Sequence, residues 1–292
     1  DKKFFLLLNY NAPHPPYTDI KPYVDVIKKK NVKLPPKEDL NRLPDVIKMY
    51  RMVYNLEMLS DGDWRKVIEA YYSLISYVDD QIGELINHLK KLNIYDNTII
   101  IITSDHGDFA GEHGCVEKWD TLFYDCLIRV PFIISCPRIK KGECKTEAMI
   151  ETVDIAPTVL ELCGFKVPSW MHGKSFVDVL YRKTDSHKLE VFSEGGVEES
   201  ALEKAVHYNS EEHKKRHPNY YWKQVLMIDY PWTIYRSKMI RTKDWKLIYR
   251  INGTKELYDL KNDPNEFNDV SCVIKNTELI NYLMEKLLKW CI

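Results

Sequence analysis

Within nine positions the chain places Asp105, His106, Asp108, Glu112 and His113, immediately after the apolar, β-branched run TIIIIT of Thr98 to Thr103. Such side chains ligate metals and move protons. A carboxylate beside an imidazole offers one hard oxygen and one nitrogen to a divalent ion. Calcium, magnesium and manganese all accept that mixture to different degrees, so two ligands leave the ion open. Gly107 would allow a sharp turn directly after the pair. The competing reading of Asp105-His106-Gly107 is a strand-to-loop turn closed by an Asx hydrogen bond, with no metal at all.

The surrounding elements decide whether such a turn sits where ligands collect. From Glu69 to Leu92, Leu74, Ile75, Val78, Ile82, Leu85, Ile86 and Leu89 recur at helical spacing, and Lys90 and Lys91 complement the dipole of the last turn. Thr98 to Thr103 then reads as a strand buried on both faces, central in a parallel or mixed sheet. Arg129 to Cys136 reads as a second strand, and Val153 to Cys163 as a helix stopped by Gly164. This order predicts an α/β sandwich, and the crevice beyond the carboxyl ends of its strands is the place for a ligand. Asp105 and His106 fall at such an end. Further on, KMIRTKDWKLIYR alternates apolar and polar residues and ELYDL follows a turn at Asn252-Gly253, which predicts an antiparallel hairpin over Lys238 to Leu260. A last helix is expected over Thr277 to Trp290. The expected organisation is an α/β core over 1–197, a polar excursion on the substrate side over 198–234, and a small antiparallel sheet with a helix over 235–292. The run Phe4 to Leu8 reads as a buried strand that begins with no preceding cap or turn, so the chain reads as starting inside a domain.

Composition narrows the classes of partner. Lys and Arg number 42 against 43 Asp and Glu, a formal net charge of -1, so no global field recruits nucleic acid or an anionic membrane. No apolar run has the roughly 18 residues of a spanning helix, and the N-terminal apolar block is too short for a signal peptide. Seven scattered cysteines without a CxxC pair argue against a disulfide framework or a zinc ribbon.

From Ser76 to Pro137 the sequence resembles the sulfatase family of the alkaline phosphatase superfamily. The match comprises the helix before the strand, the turn TSDHGD with GEHG, a lysine shortly after, and FYD followed by IRVPFII. The resemblance continues through VDIAPTVLELCGF, HGKSF, KMIRTKDWKLIY and ELYDLKNDPNEFND, leaving out roughly 21–63 and 198–234. It implies the superfamily's sandwich, with a mixed, largely parallel central sheet flanked by helices, and hydrolysis of a sulfate ester on a small molecule or glycan. It also implies a divalent metal, calcium first and magnesium or manganese next, held in part by Asp105 and His106. His14 in NAPHPPY matches a histidine associated with the sulfate's leaving oxygen, and Lys118 a lysine that reaches the same sulfate. A metal, an ammonium and an imidazole converging on a sulfuryl group would stabilise charge on its oxygens, and an imidazole can protonate a leaving oxygen near neutrality. Without the resemblance, His14 reads as an exposed turn residue and Lys118 as a surface lysine. His113 is expected to order the loop from behind the ligands, His172 to be structural, and His207, His213 and His217 to be solvated.

The departures are as definite. Sulfatases carry near their beginning an aspartate pair and a C-x-P-S-R or S-x-P-S-R motif whose first residue becomes the formylglycine nucleophile, and neither occurs here. SCPRIK at Ser135 to Lys140 lacks the spacing. The expectation is a metal-dependent sulfatase lacking its nucleophile and half its metal site, inactive until an N-terminal segment completes it. The alternatives are a phosphodiesterase or phosphonate monoester hydrolase of the same superfamily, and a non-catalytic module that binds sulfated glycans through Lys118, His14 and the basic run Lys214 to Arg216.

Overall fold

The structure, a computed structural model, describes residues 3–137, 139, 144–198, 221–273 and 277–292. Its longest element is helix α3 (Asp61–Lys91), preceded by α1 (Tyr23–Lys29) and α2 (Asp45–Val53). Helix α3 begins eight residues before the apolar periodicity does, because Ser60 caps it: the Ser60 hydroxyl accepts from Asp63 N at 3.2 Å while the Asp63 carboxylate accepts from Ser60 N at 3.2 Å. After α3 a left-handed residue, Asn93, reverses the chain. A short turn then leads into β1 (Ile100–Thr103), which pairs antiparallel with β2 (Phe132–Ser135). Helix α5 (Ile155–Leu162) ends before Gly164, whose φ of +80° supplies the left-handed stop expected there. Short helices α4 (Asp125–Ile128) and α6 (Val177–Leu180) complete this half.

The second sheet is fully antiparallel in the order β3 (Glu190–Gly195), β4 (Ser237–Thr242), β5 (Trp245–Arg250), β6 (Lys255–Asp259). The hairpin expected across Asn252-Gly253 is the β5–β6 connection, where Gly253 takes φ +89°. Strand β3, which lies before the polar excursion, forms one edge of this sheet. Helix α7 (Tyr221–Asp229) precedes β4, and α8 (Thr277–Cys291) buries Leu283 and Leu287 against Ile240, Leu247 and Leu257. His207, His213, His217 and the Lys214 to Arg216 run lie outside the described residues.

Two strand expectations change. Strand β1 is half-buried rather than buried, and among the described residues it pairs on one side only, with β2. Its expected central place is not realised within these residues, because a central strand needs a neighbour on each side. Phe4 to Leu8 has no regular structure and is unpaired and exposed, Phe5 at 84% and Leu8 at 47%. A strand forms only where an edge accepts its backbone and a face covers its side chains, and none of the described residues offers either to this run.

The main core joins α2, the long segment after β1, and the second sheet through Ile47, Tyr50, Phe109, Trp119, Tyr124 and Ile248. Polar groups reinforce it. Lys246, fully buried on β5, donates to Phe123 O at 2.8 Å and to Asp125 Oδ1 at 2.7 Å and contacts the buried Glu266 carboxylate, while Arg241 grips Asp125 with two nitrogens at 3.2 and 3.0 Å. Burial pushes the Asp125 carboxyl up, but Lys246 and Arg241 outweigh it and leave it below the usual carboxylate range. Replacing Lys246 with Met should cost about 3–5 kcal/mol, since it leaves the buried Glu266 carboxylate without its cation while Asp125 keeps only Arg241. Urea unfolding of the variant measures this, and a loss under 1 kcal/mol would mean that the cluster is solvated.

Candidate functional site

The segment from Ser104 to Tyr124 builds the site almost without regular structure. It opens at the end of β1, where Asp105 Oδ1 accepts from His106 N at 3.0 Å and the Ser104 hydroxyl donates to His106 O at 2.8 Å. The Asx turn expected at Asp105 is not formed, because the Gly107 amide that would close it donates to Leu127 O; the bond with that spacing lies at Asp108, whose Oδ1 accepts from Ala110 N at 2.8 Å. His106 Nδ1 lies 2.7 Å from Gly107 O, an acceptor only, so Nδ1 carries a proton, and in the neutral ring Nε2 holds the lone pair. That Nε2 is 3.7 Å from Asp105 Oδ2, and the Asp105 side chain is 86% exposed. Burial nudges the Asp105 carboxyl up; His106, two backbone amides and Ser104 more than offset that and hold it below the ordinary range, ionised at neutrality.

Gly107 serves a different purpose from the sharp turn expected of it. Its backbone is not left-handed; instead it presses on α4, donating from N to Leu127 O at 2.7 Å, and a Cβ there would lie 1.9 Å from Cys126 O. The left-handed residues come later, at Ala110, Gly111, His113, Gly114 and Glu117, a concentration that coils the chain back on itself. His113 is buried, with Nδ1 2.9 Å from Glu38 Oε1 and its ring 4.0 Å from that of Tyr124, so it ties the loop to the segment before α2.

Lys118 and His14, 104 residues apart, meet at 2.7 Å between Nζ and Nε2. His14 Nδ1 lies 2.7 Å from Pro15 O and must donate to it, which leaves Nε2 as the acceptor of a Lys118 proton. Burial first, and the neighbouring Lys223 ammonium second, lower the Lys118 pKa from the usual lysine value, while Glu117, Asp108 and Asp105 pull the other way. The charge of the Asp105 turn is thus felt at Lys118.

Asp108, from the opening cluster, and three residues that sequence reasoning gave no role, Tyr17, Glu117 and Lys223, complete the arrangement. The Tyr17 hydroxyl donates to Asp108 Oδ1 at 2.7 Å and accepts from Glu117 N at 2.8 Å. Burial raises the pKa of both Tyr17 and Asp108. Lys223, on α7, pairs with Glu117 Oε2 at 2.6 Å. Tyr17 lies beside His14 in NAPHPPY and Asp108 beside the ligand pair, which is the only signal the sequence held; Glu117 and Lys223 carried none. Beyond Tyr17 a cavity of about 620 Å³ is lined by Asp19, Lys28, Arg65, Lys66 and Glu69 among others.

The donor set accommodates part of a metal's coordination shell. Asp105 and His106 present an ionised carboxylate and an imidazole lone pair at a separation suited to one ion, and among the described residues no group of three or more His, Cys, Asp and Glu side chains is placed to hold one. The remaining ligands of a six-coordinate hard ion have to come from elsewhere or from water.

Residues 1–165 match the family model described as Sulfatase, and residues 111–221 that of N-sulphoglucosamine sulphohydrolase, C-terminal. The chain is 33% identical over 209 residues to an N-acetylglucosamine-6-O-sulfatase of Bacteroides thetaiotaomicron, covering 71% of this chain and 32% of that protein. It is 26% identical to an arylsulfatase of Clostridium perfringens, covering 99% of this chain and 53% of the other. It spans about half or less of the length of these relatives. Among solved structures, a protein in complex with its substrate D-glucosamine-2-N,6-O-disulfate superposes with a TM-score of 0.72 at 22% identity, over 95% of this chain and 63% of that one. A phosphonate monoester hydrolase from Silicibacter pomeroyi superposes at 0.73 and 22% identity, over 95% and 53%. These likenesses place the fold in the α/β class of the alkaline phosphatase superfamily.

The contact at Gly107 generates a paired test. Gly107→Ala should destabilise by about 1–3 kcal/mol, the usual cost of forcing a methyl into occupied space. Gly83→Ala on α3, where nothing lies within 4 Å of the added Cβ, should stabilise by roughly 0.5–1 kcal/mol. Thermal and urea unfolding of both variants checks the contrast, and equal effects would refute it.

Proposed function

Because the chain belongs to the sulfatase family, we propose that it supplies the leaving-group side of a sulfuric ester hydrolase, and that Lys118, His14, Asp105 and His106 act together on one sulfate. The observation that carries this reading is the 2.7 Å contact between Lys118 and His14, which joins two distant segments at a point where the Asp105 turn is felt electrostatically. The substrate is a sulfated small molecule or glycan; the cavity beside Tyr17 gives a sugar room to extend.

On this reading the Lys118 ammonium binds a sulfuryl oxygen and stabilises the charge it keeps in the transition state. His14 Nε2, which accepts a hydrogen bond from Lys118 at rest, is placed for a protonated His14 to give its own proton to the leaving oxygen as the S–O bond breaks, while Lys118 keeps its charge on the sulfuryl oxygen. Asp105 and His106 would hold a divalent ion, calcium first and magnesium or manganese next, which when bound draws electron density from the sulfuryl oxygens. The nucleophile, a formylglycine hydroxyl, and an aspartate pair to finish the metal shell would come from an N-terminal sulfatase segment; the exposed Phe4–Leu8 run and the open side of β1 would pair with its strands.

The phosphonate monoester hydrolase reading stays open on one observation, a structural likeness as close as that of the glucosamine disulfate complex. Turnover of an aryl sulfate against an aryl phosphate diester separates the two. A third outcome, binding of a sulfated oligosaccharide without turnover even in the completed protein, would select the binding-module reading.

The 292-residue chain should hydrolyse no aryl sulfate by itself, because nothing in it attacks sulfur. Joined to a segment carrying the aspartate pair and the modified cysteine, it should turn over in a chelator-sensitive way. In that completed enzyme Asp105→Ala should remove metal binding, and Lys118→Ala should lower turnover by roughly 10²–10³. Measurable turnover by the isolated chain sinks this assignment of the nucleophile. Sulfate affinity should also depend on pH with a definite sign. The binding form is the Lys118 ammonium, so affinity is present below its lowered pKa and lost as pH rises through it, earlier than for an ordinary lysine. Isothermal titration with sulfate across the alkaline range checks this.

A further inference from the structure

We propose that Tyr17 is a positioning residue whose phenolic oxygen holds in register the three segments that carry His14, the Asp105–His106 pair and Lys118. The inference rests on the sulfatase reading only for what the assembled site binds. Tyr17 stands three residues after His14. Its oxygen donates to Asp108, three residues after Asp105, and accepts from the backbone of Glu117, one residue before Lys118. One atom therefore ties together positions 91 and 100 residues distant from it, and each tie lands within three residues of a site group.

The connection to Lys118 is the most direct. Glu117 has φ +58°, a left-handed conformation that a non-glycine residue keeps only under constraint. The constraint is complete: its N–H donates to Tyr17, its carbonyl accepts from Phe109 N at 2.9 Å, and its carboxylate meets Lys223. This backbone turn is what directs the next residue, Lys118, toward His14. Asp108 is fixed in a similar way, since the oxygen that accepts from Tyr17 also accepts from Ala110 N at 2.8 Å. The Tyr17 ring is itself seated edge-on against Tyr71 of α3, with centroids 5.8 Å apart and planes at 85°. The longest helix of the molecule thereby sets the phenol's position, and the phenol sets the loop's. Burial keeps the hydroxyl protonated, as its donor role requires.

Removing the oxygen while keeping the ring separates positioning from packing. In the 292-residue chain, Tyr17→Phe should remain folded and lose the Lys118 to His14 hydrogen bond, seen as a shift of the His14 Nε2 resonance in ¹⁵N NMR toward that of a free imidazole. Inorganic sulfate should then bind at least tenfold more weakly. Tyr258→Phe, which removes a buried hydroxyl that donates to Glu256 at 2.8 Å within the second sheet, should lower thermal stability comparably and change neither signal. A second pair guards against misfolding of the first variant: Asp108→Asn retains an acceptor oxygen and should preserve the His14 resonance, whereas Asp108→Ala should move it. A His14 signal unchanged in both Tyr17→Phe and Asp108→Ala overturns the proposal. If the wild-type chain binds no sulfate, the sulfatase reading of the site fails, and the NMR signal still decides whether Tyr17 positions His14 and Lys118.

Discussion

The site hangs on one constraint: a segment of roughly twenty residues, Ser104 to Tyr124, runs through the protein with no strand and only a single 3-10 turn. Irregular backbone in a protein interior leaves amides and carbonyls that must find partners, and here they find them one at a time. Tyr50 donates to Val116 O at 2.7 Å, Arg250 donates to Thr121 O at 2.8 Å, and Lys246 donates to Phe123 O. Side chains from α2 and β5 thus replace the ladder that a sheet would have supplied, while the segment's own Trp119 and Thr121 side chains anchor it by donating to Thr233 O before β4. The second sheet, which carries none of the site residues, is the frame on which the loop is fastened.

That arrangement lets a protein of nearly zero net charge create a local field. Lys118 and Lys223 face Glu117, Asp108 and Asp105 in a region where burial has already moved the pKa of Lys118 and Asp108 away from their ordinary values. Low local polarisability makes the buried charges among them count for more than they would at the surface, while the exposed Asp105 carboxylate stays screened by water. The balance between them is set by backbone turns rather than by side-chain freedom.

The sequence made the regular half of the molecule legible and left the irregular half dark, for a physical reason. Helical periodicity in α3, the β-branched run of β1, the glycine stop of α5 and the alternation of β4 and β5 are local consequences of burial on one face, so they can be read locally. The start of α3 escaped because its cap, Ser60 with Asp63, precedes any apolar residue of the repeat. Strand β3 escaped because its pairing with β4 is decided more than forty residues away. At the site, Asp105 and His106 stood out by type and spacing, but the meeting of His14 with Lys118 was visible only through family resemblance, since no local pattern encodes a contact across 104 residues. The roles of Tyr17 and Glu117 depend on a backbone angle and a shared hydroxyl, and residue types announce neither. The centrality expected of β1 is not met among the described residues, since strand composition reports burial propensity and not the presence of neighbours.

The exposed run Phe4 to Leu8 also governs how such a chain behaves in solution. Five consecutive large apolar residues, exposed and outside any helix or strand, match in composition the short segments from which intermolecular β-structure nucleates. Lys2 and Lys3 stand directly before them, in the position where charged gatekeepers slow such self-association. Two lysines oppose it by like-charge repulsion, and that repulsion is screened as salt rises past the Debye regime of about 10 Å at 0.1 M. Colloidal stability of this chain is therefore a matter of ionic strength and concentration, and a covering partner strand would act on it as a chaperone does.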